Sequence, residues 1–153
     1  RRDATLSDFH NQSVAFNEPL SQSGWAGPID YLNRHTIRPS ECLRSGSHQN
    51  SARYVAEGRA AFAAIDGQSW RLIKAYDSWA KDLFEIAQSE PTPGLPMICA
   101  QRFHPAELAQ ACAQAITSFP KNARQALGIK GFVDVSSSAY LTLPNPVDVA
   151  DYC

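Results

Sequence analysis

The sequence predicts an α/β domain with a largely parallel sheet, and three observations carry that expectation. Short apolar runs alternate with amphipathic helical patterns, the order expected of strand–helix–strand units. One run, Ala60 to Ile65, is fully apolar, as for a central strand buried on both faces. Apolar residues make up 44% and charged residues 19% of the 153 positions, a globular composition.

The elements follow in chain order. Ser13 to Asn17 reads as a strand with Val14 and Phe16 on one face, stopped by Glu18-Pro19. Ser21-Gln22-Ser23-Gly24 opens a helix carrying Ile29 and Leu32, regular from Pro28, where proline suits the first turn. Residues 33 to 41 read as loop and Glu41 to Arg44 as a very short strand. Ser45-Gly46-Ser47 leads into a helix through Glu57, with Gly58 as its stop. The strand Ala60 to Ile65 ends at Asp66, and a helix runs from about Ser69 to Tyr76. Leu83 to Ala87 and Leu95 to Ala100 read as strands on either side of the turn Pro91-Thr92-Pro93-Gly94. Pro105 starts a helix with Leu108, Ala111, Cys112, Ala115 and Ile116 at helical spacing, which makes Cys112 a buried thiol. Pro120 starts a shorter helix ending at Gly128. Phe132 to Val135 reads as a last strand, and the proline- and aspartate-rich tail from Leu143 as surface.

Composition narrows the function classes. A net charge of −1 supplies no basic field of the kind a nucleic-acid partner requires. No apolar run approaches the length of a membrane span. The chain opens on Arg1 without the apolar core of a signal peptide, so any targeting signal is expected to lie outside it. Cys42, Cys99, Cys112 and Cys153 match no zinc spacing, and as two disulfides they allow three pairings.

Three polar clusters share one placement. Asn17 to Gly24, Ser45 to Ser51, and Asp66 each follow a predicted strand and open a helix. In open parallel sheets, ligands bind beyond the carboxyl ends of the strands. All three clusters would therefore project to one side of the sheet. In the first, Ser21 and Ser23 stand beside the unpaired amides of a helix start, which favour an anion. Gly24 would let a ligand approach the backbone closely. An ordinary serine cap would read the same way. In the second, His48 could donate to a bound oxyanion, more strongly when protonated; a solvent-facing histidine capped by Ser47 is the plainer alternative. Asp66 could accept from an amine or a protonated oxyanion, or simply cap the next helix.

Enzyme signatures are missing. The sequence holds no GxSxG elbow, no P-loop, no dinucleotide fingerprint and no HExxH pair. Serine, histidine and aspartate are all present, so a hydrolytic triad is a reading for geometry to test. No cofactor or metal is expected.

Taken together, Val14-Ala15-Phe16-Asn17-Glu18-Pro19-Leu20-Ser21-Gln22-Ser23-Gly24, Ser45-Gly46-Ser47-His48-Gln49-Asn50-Ser51, and Val55-Ala56-Glu57-Gly58-Arg59-Ala60 with Ala64-Ile65-Asp66 resemble the solute-binding proteins of phosphate, phosphite and phosphonate ABC transporters. Thr92-Pro93-Gly94-Leu95-Pro96 resembles that family's returning hinge segment. The resemblance covers residues 8 to 140. It implies a type II periplasmic-binding fold: one three-layer parallel-sheet lobe over 8–92, and the returning part of a second lobe over 93–153. It also implies ligand contacts at Ser21, Ser23, Gly24, His48, Ser51 and Asp66, with Asn17 a weaker carry-over. The implied partners are a small oxyanion and a transporter permease, in the periplasm or on an extracytoplasmic lipoprotein.

Two departures from the family pattern stand out. Ala61 occupies a position that is commonly acidic in the family, a change expected to affect strand-edge packing or solvation. The half-lobe that normally precedes the first serine block is expected to be missing, and oligomerisation or strand exchange would cover the apolar surface this leaves. The resulting expectation is a binder of a phosphonate- or phosphate-like oxyanion rather than an enzyme. The alternatives are a sensory module of a signalling protein, or an enzyme reusing the fold with Cys42 or Cys99 as nucleophile.

Overall fold

The computed structural model describes residues 3–100 and 102–153. They form two compact units, one running to Pro91 and resuming at Leu143–Cys153, the other spanning Thr92–Thr142.

The first unit is built on strands β1 (Ser13–Phe16), β2 (Glu41–Arg44) and β3 (Phe62–Ala63), with helices α1 (Gly27–Arg34), α2 (His48–Ala56) and α3 (Gly67–Tyr76). The strand order is β2-β1-β3 and both pairings are parallel. Ser13 stands opposite Glu41 and Phe16 opposite Arg44, while Val14 and Ala15 face Phe62 and Ala63. The two-residue side-chain period of β1 decides the layers. Val14 and Phe16 join Trp25, Ile29, Leu32, Ile37, Phe62 and Tyr152 in one core. Ala15, on the other face, is completely buried, and α2 packs against β1 and β3. A smaller core of Ala52, Ile73 and Ala80 joins α2, α3 and the 3-10 turn Ser78–Asp82.

Local chemistry sets the helix boundaries. Ser47 caps α2 by accepting from the Asn50 amide, and Gly58 follows the helix at φ +70°, a left-handed stop suited to glycine. Asp66 caps α3, so that helix starts at Gly67, two residues before the expected Ser69. Before α1 the chain makes a π-helical turn, Gln22–Ala26, which merges into the helix near Pro28.

Several expected strands do not form. Of Ala60 to Ile65 only Phe62–Ala63 enters the ladder. Leu83 to Ala87 is irregular: Leu83 closes the 3-10 turn, and Glu85 accepts from the indole of Trp70 and from Lys74. Leu95 to Ala100 and Phe132 to Val135 have strand composition but no partner strand among the described residues. Pro96 also removes a ladder donor from the former. Leu95 is 98% and Ile98 88% exposed.

The second unit carries α4 (Pro105–Ser118), α5 (Lys121–Leu127) and α6 (Ser137–Tyr140). Gly128 ends α5 at φ +69°. Cys112, expected as a buried thiol, is half-exposed and free, with its sulfur 3.8 Å from Met97 Sδ. No described residue of α4 is buried, so the apolar stripe that predicts the helix covers no core.

The tail from Leu143, expected on the surface, is mostly exposed, but it is fastened to the first unit and ends in α7 (Val149–Tyr152). Trp25 Nε1 donates to the Val147 carbonyl at 2.8 Å. The Tyr152 ring meets Trp25 edge-on at 5.9 Å and lies 4.6 Å beneath the Arg38 guanidinium. Cys153 is disulfide-bonded to Cys42 on β2. That bond removes Cys42 as a free nucleophile, while Cys99 is an exposed free thiol in the second unit.

Candidate functional site

Each strand of the parallel sheet delivers the chain to a helix start at the same end. β1 leads to Ser21–Ala26, β2 to α2 and β3 to α3. The first amides of each start, including those of Gln22, Ser23, His48, Gln49 and Gly67, have no intrahelical acceptor by virtue of their position.

Three of the predicted site residues meet there. Ser23 Oγ lies 3.0 Å from His48 Nε2, and Asp66 Oδ2 lies 3.1 Å from the same nitrogen. His48 Nδ1 lies 3.3 Å from the Ala64 carbonyl and 3.4 Å from the Asp66 amide. The ring therefore has partners in either tautomer. A protonated Nδ1 donates to Ala64, and an unprotonated Nδ1 accepts from the Asp66 amide. The His48 side chain is 14% exposed and that of Asp66 32%, whereas Ser23 lies open to solvent.

The remaining predicted residues form a floor beneath this rim. Ser51 is completely buried, its hydroxyl 2.6 Å from Ser45 Oγ and 3.4 Å from Asn17 Oδ1. Asn17 is buried as well. Ser21 Oγ accepts from the Gly24 amide at 3.0 Å, which occupies that amide within the turn. A Cβ on Gly24 would stand 2.6 Å from Asn17 Cγ and 2.8 Å from Ser21 Oγ. The glycine is thus required by its own neighbours. Ser45 belongs to the second serine cluster, yet nothing in the sequence separates it from Ser47 or Ser51; only its bonds to the end of β1 do so.

Burial tends to raise the carboxyl pKa of Asp66. The hydroxyl and amide of Ser69, the charge of His48 and the Gln68 amide outweigh it and hold the group below the usual aspartate range. A depressed native pKa stabilises the fold above about pH 4, the unfolded value, and that contribution is lost as pH falls through the lower native value. The urea midpoint should therefore drop below about pH 4 more steeply in the wild type than in Asp66→Asn, which keeps a capping oxygen but has no carboxylate to titrate. Parallel acid limbs in the two proteins would exclude this contribution.

The geometry also decides the hydrolytic reading. In a serine–histidine–aspartate triad, the carboxylate orients one ring nitrogen while the serine faces the other. Here Ser23 and Asp66 both face Nε2, so Asp66 does not orient His48 for proton transfer from Ser23. The described residues hold no cluster of three or more metal-ligating side chains.

Helices on both faces of a parallel sheet, with polar helix starts gathered beyond the strand ends, define an α/β ligand-binding lobe. A family model described as ABC transporter, phosphonate, periplasmic substrate-binding protein matches residues 2–140. The chain belongs to this family, whose fold is the type II periplasmic-binding fold. The family's proteins bind a small ligand, work with an ABC transporter and are extracytoplasmic. A search of curated proteins returned no match. Among the described residues no helix is long and apolar enough to cross a membrane.

Proposed function

We propose that the chain captures a small oxyanion of the phosphonate or phosphate kind, for presentation to a transporter permease. The observation that carries this reading is the meeting of Ser23, His48 and Asp66, from three separate helix starts, at one end of the sheet. Helix-start amides and the Ser23 hydroxyl would hold the ligand oxygens. Protonated His48 would add a charged donor. Asp66, held as a carboxylate, repels a fully ionised ligand and favours one that keeps a proton or carries an amine. Ser21 would contribute its hydroxyl hydrogen, while Asn17, Gly24 and Ser51 shape the floor. Residues 8–92, with the tail from Leu143 folded back onto them, would form the ligand lobe, and the segment between them the return through the hinge.

Calorimetric titration of the chain with methylphosphonate, 2-aminoethylphosphonate and inorganic phosphate tests the proposal. Ser23→Ala and His48→Ala should each weaken binding by about 1.5–3 kcal/mol, the scale of one charge-assisted hydrogen bond. That corresponds to roughly tenfold or more in Kd. Ser23→Ala removes a solvent-exposed hydroxyl, so the unfolding midpoint should barely change in that variant. No heat from any of the three ligands with folded protein would remove the reading.

A further inference from the structure

We infer that Ser45 is a positioning residue, which sets the distance between the two helix starts that carry Ser23 and His48. The inference rests on the oxyanion reading for its functional meaning, but its geometry can be tested separately.

Ser45 stands where three pieces of the site join. Its amide and hydroxyl both donate toward the Phe16 carbonyl, at 2.8 and 2.9 Å, at the end of β1. The next amide, that of Gly46, donates to the Asn17 carbonyl at 2.9 Å. The Ser45 hydroxyl also lies 3.0 Å from the Ser47 carbonyl, on the residue that caps α2. Its 2.6 Å contact with Ser51 Oγ continues to Asn17 Oδ1, and the Asn17 side chain fills the space where a Gly24 Cβ would stand. One hydroxyl thus ties the end of β1, the start of α2 and the floor of the Ser21–Gly24 turn.

A hydroxyl has one proton and two acceptor positions. Ser51, without exposed surface, can exchange its contacts only within this group. Removing Ser45 Oγ leaves Ser51 with the long Asn17 contact alone and frees the Asn17 wedge to shift. Gly24 rests against that wedge, and Ser23 is joined to Gly24 by a single peptide unit. The displacement therefore reaches the 3.0 Å separation between Ser23 Oγ and His48 Nε2. Ser45 itself is half-buried and hydrogen-bonded inward. It acts through its neighbours and not by touching the ligand.

Two measurements on the 153-residue chain test this. The first is the imidazole 15N shift of His48, with His10, His35 and His104 as internal controls. Ser45→Ala should move the His48 signal in the same direction as Ser23→Ala and leave the controls in place. An unmoved His48 signal overturns the inference whether or not any ligand binds. The second is a double-mutant cycle on methylphosphonate binding. Ser45→Ala should weaken it by roughly five- to tenfold, the scale of one hydrogen bond. Combined with Ser23→Ala, the loss should fall well short of the product of the two single effects. Multiplicative effects would show that Ser45 does not act through Ser23. Should Ser45→Ala fail to fold, Ser45→Cys keeps a weak donor of similar size and is read in the same two ways. If the wild type shows no binding, the oxyanion reading fails, and the His48 signal still decides the positioning role.

Discussion

Replacing Cys153 with serine should lower the unfolding free energy by about 4–5 kcal/mol, the loss that chain-entropy reasoning gives for a loop of this size. Cys42 and Cys153 are 111 residues apart in sequence, with Cα atoms 5.8 Å apart. The bond fastens α7 to β2, an edge strand of the sheet. A domain of ordinary stability has only about 5–15 kcal/mol in total, so the reduced protein should lie close to its unfolding threshold. Guanidinium titration with and without dithiothreitol measures this directly. The reduced wild type should coincide with Cys42→Ser and Cys153→Ser, and the oxidised wild type should unfold at clearly higher denaturant. Identical curves with and without reductant would mean that the two sulfurs are not bonded in solution.

Trp25→Ala should be about as damaging, at roughly 3–5 kcal/mol. The indole is 1% exposed and lies 4.5 Å from the Phe16 ring. It also holds the tail through the Val147 carbonyl and the Tyr152 ring. Trp25→Phe separates the two contributions. It retains much of the ring packing but loses the Nε1 donor to the carbonyl of exposed Val147, at a cost of about 0.5–1.5 kcal/mol. Because Trp25 and Cys153 both retain the tail, Trp25→Ala with Cys153→Ser should cost less than the sum of the two. Equilibrium denaturation of the wild type and the four variants checks both statements. An additive cycle would mean that the indole and the disulfide act independently.

What the sequence disclosed follows from how local each signal is. The alternation of Val14 and Phe16 about Ala15, the Ser47 and Asp66 caps, and the Gly58 stop all act within a few residues, and each is legible by eye. The tail was not. Its prolines and aspartates describe a surface strand of chain, whereas Tyr152 and Cys153 are held by Trp25, Arg38 and Cys42, more than a hundred positions away. Leu95 to Ala100 and Phe132 to Val135 show the opposite failure. Strand propensity is a preference for a pleated, paired surface, and without a partner ladder it yields no strand. Within the site, Ser23, His48 and Asp66 were recoverable because each follows a strand and opens a helix. The division into an open rim and a buried floor was not recoverable. Ser45, Ser47 and Ser51 look alike as letters, and only their different neighbours separate them.

The order β2-β1-β3 has a thermodynamic consequence. The three stretches that supply the rim are brought together only when that order is complete, so a disordered chain offers no equivalent grip. Occupancy and assembly are then one linked equilibrium, and the unfolding free energy should rise logarithmically with the concentration of any ligand that occupies the rim. At a hundredfold excess over Kd the gain is about 2.7 kcal/mol. A melting curve that climbs with added phosphonate would thus register capture without any label on the ligand.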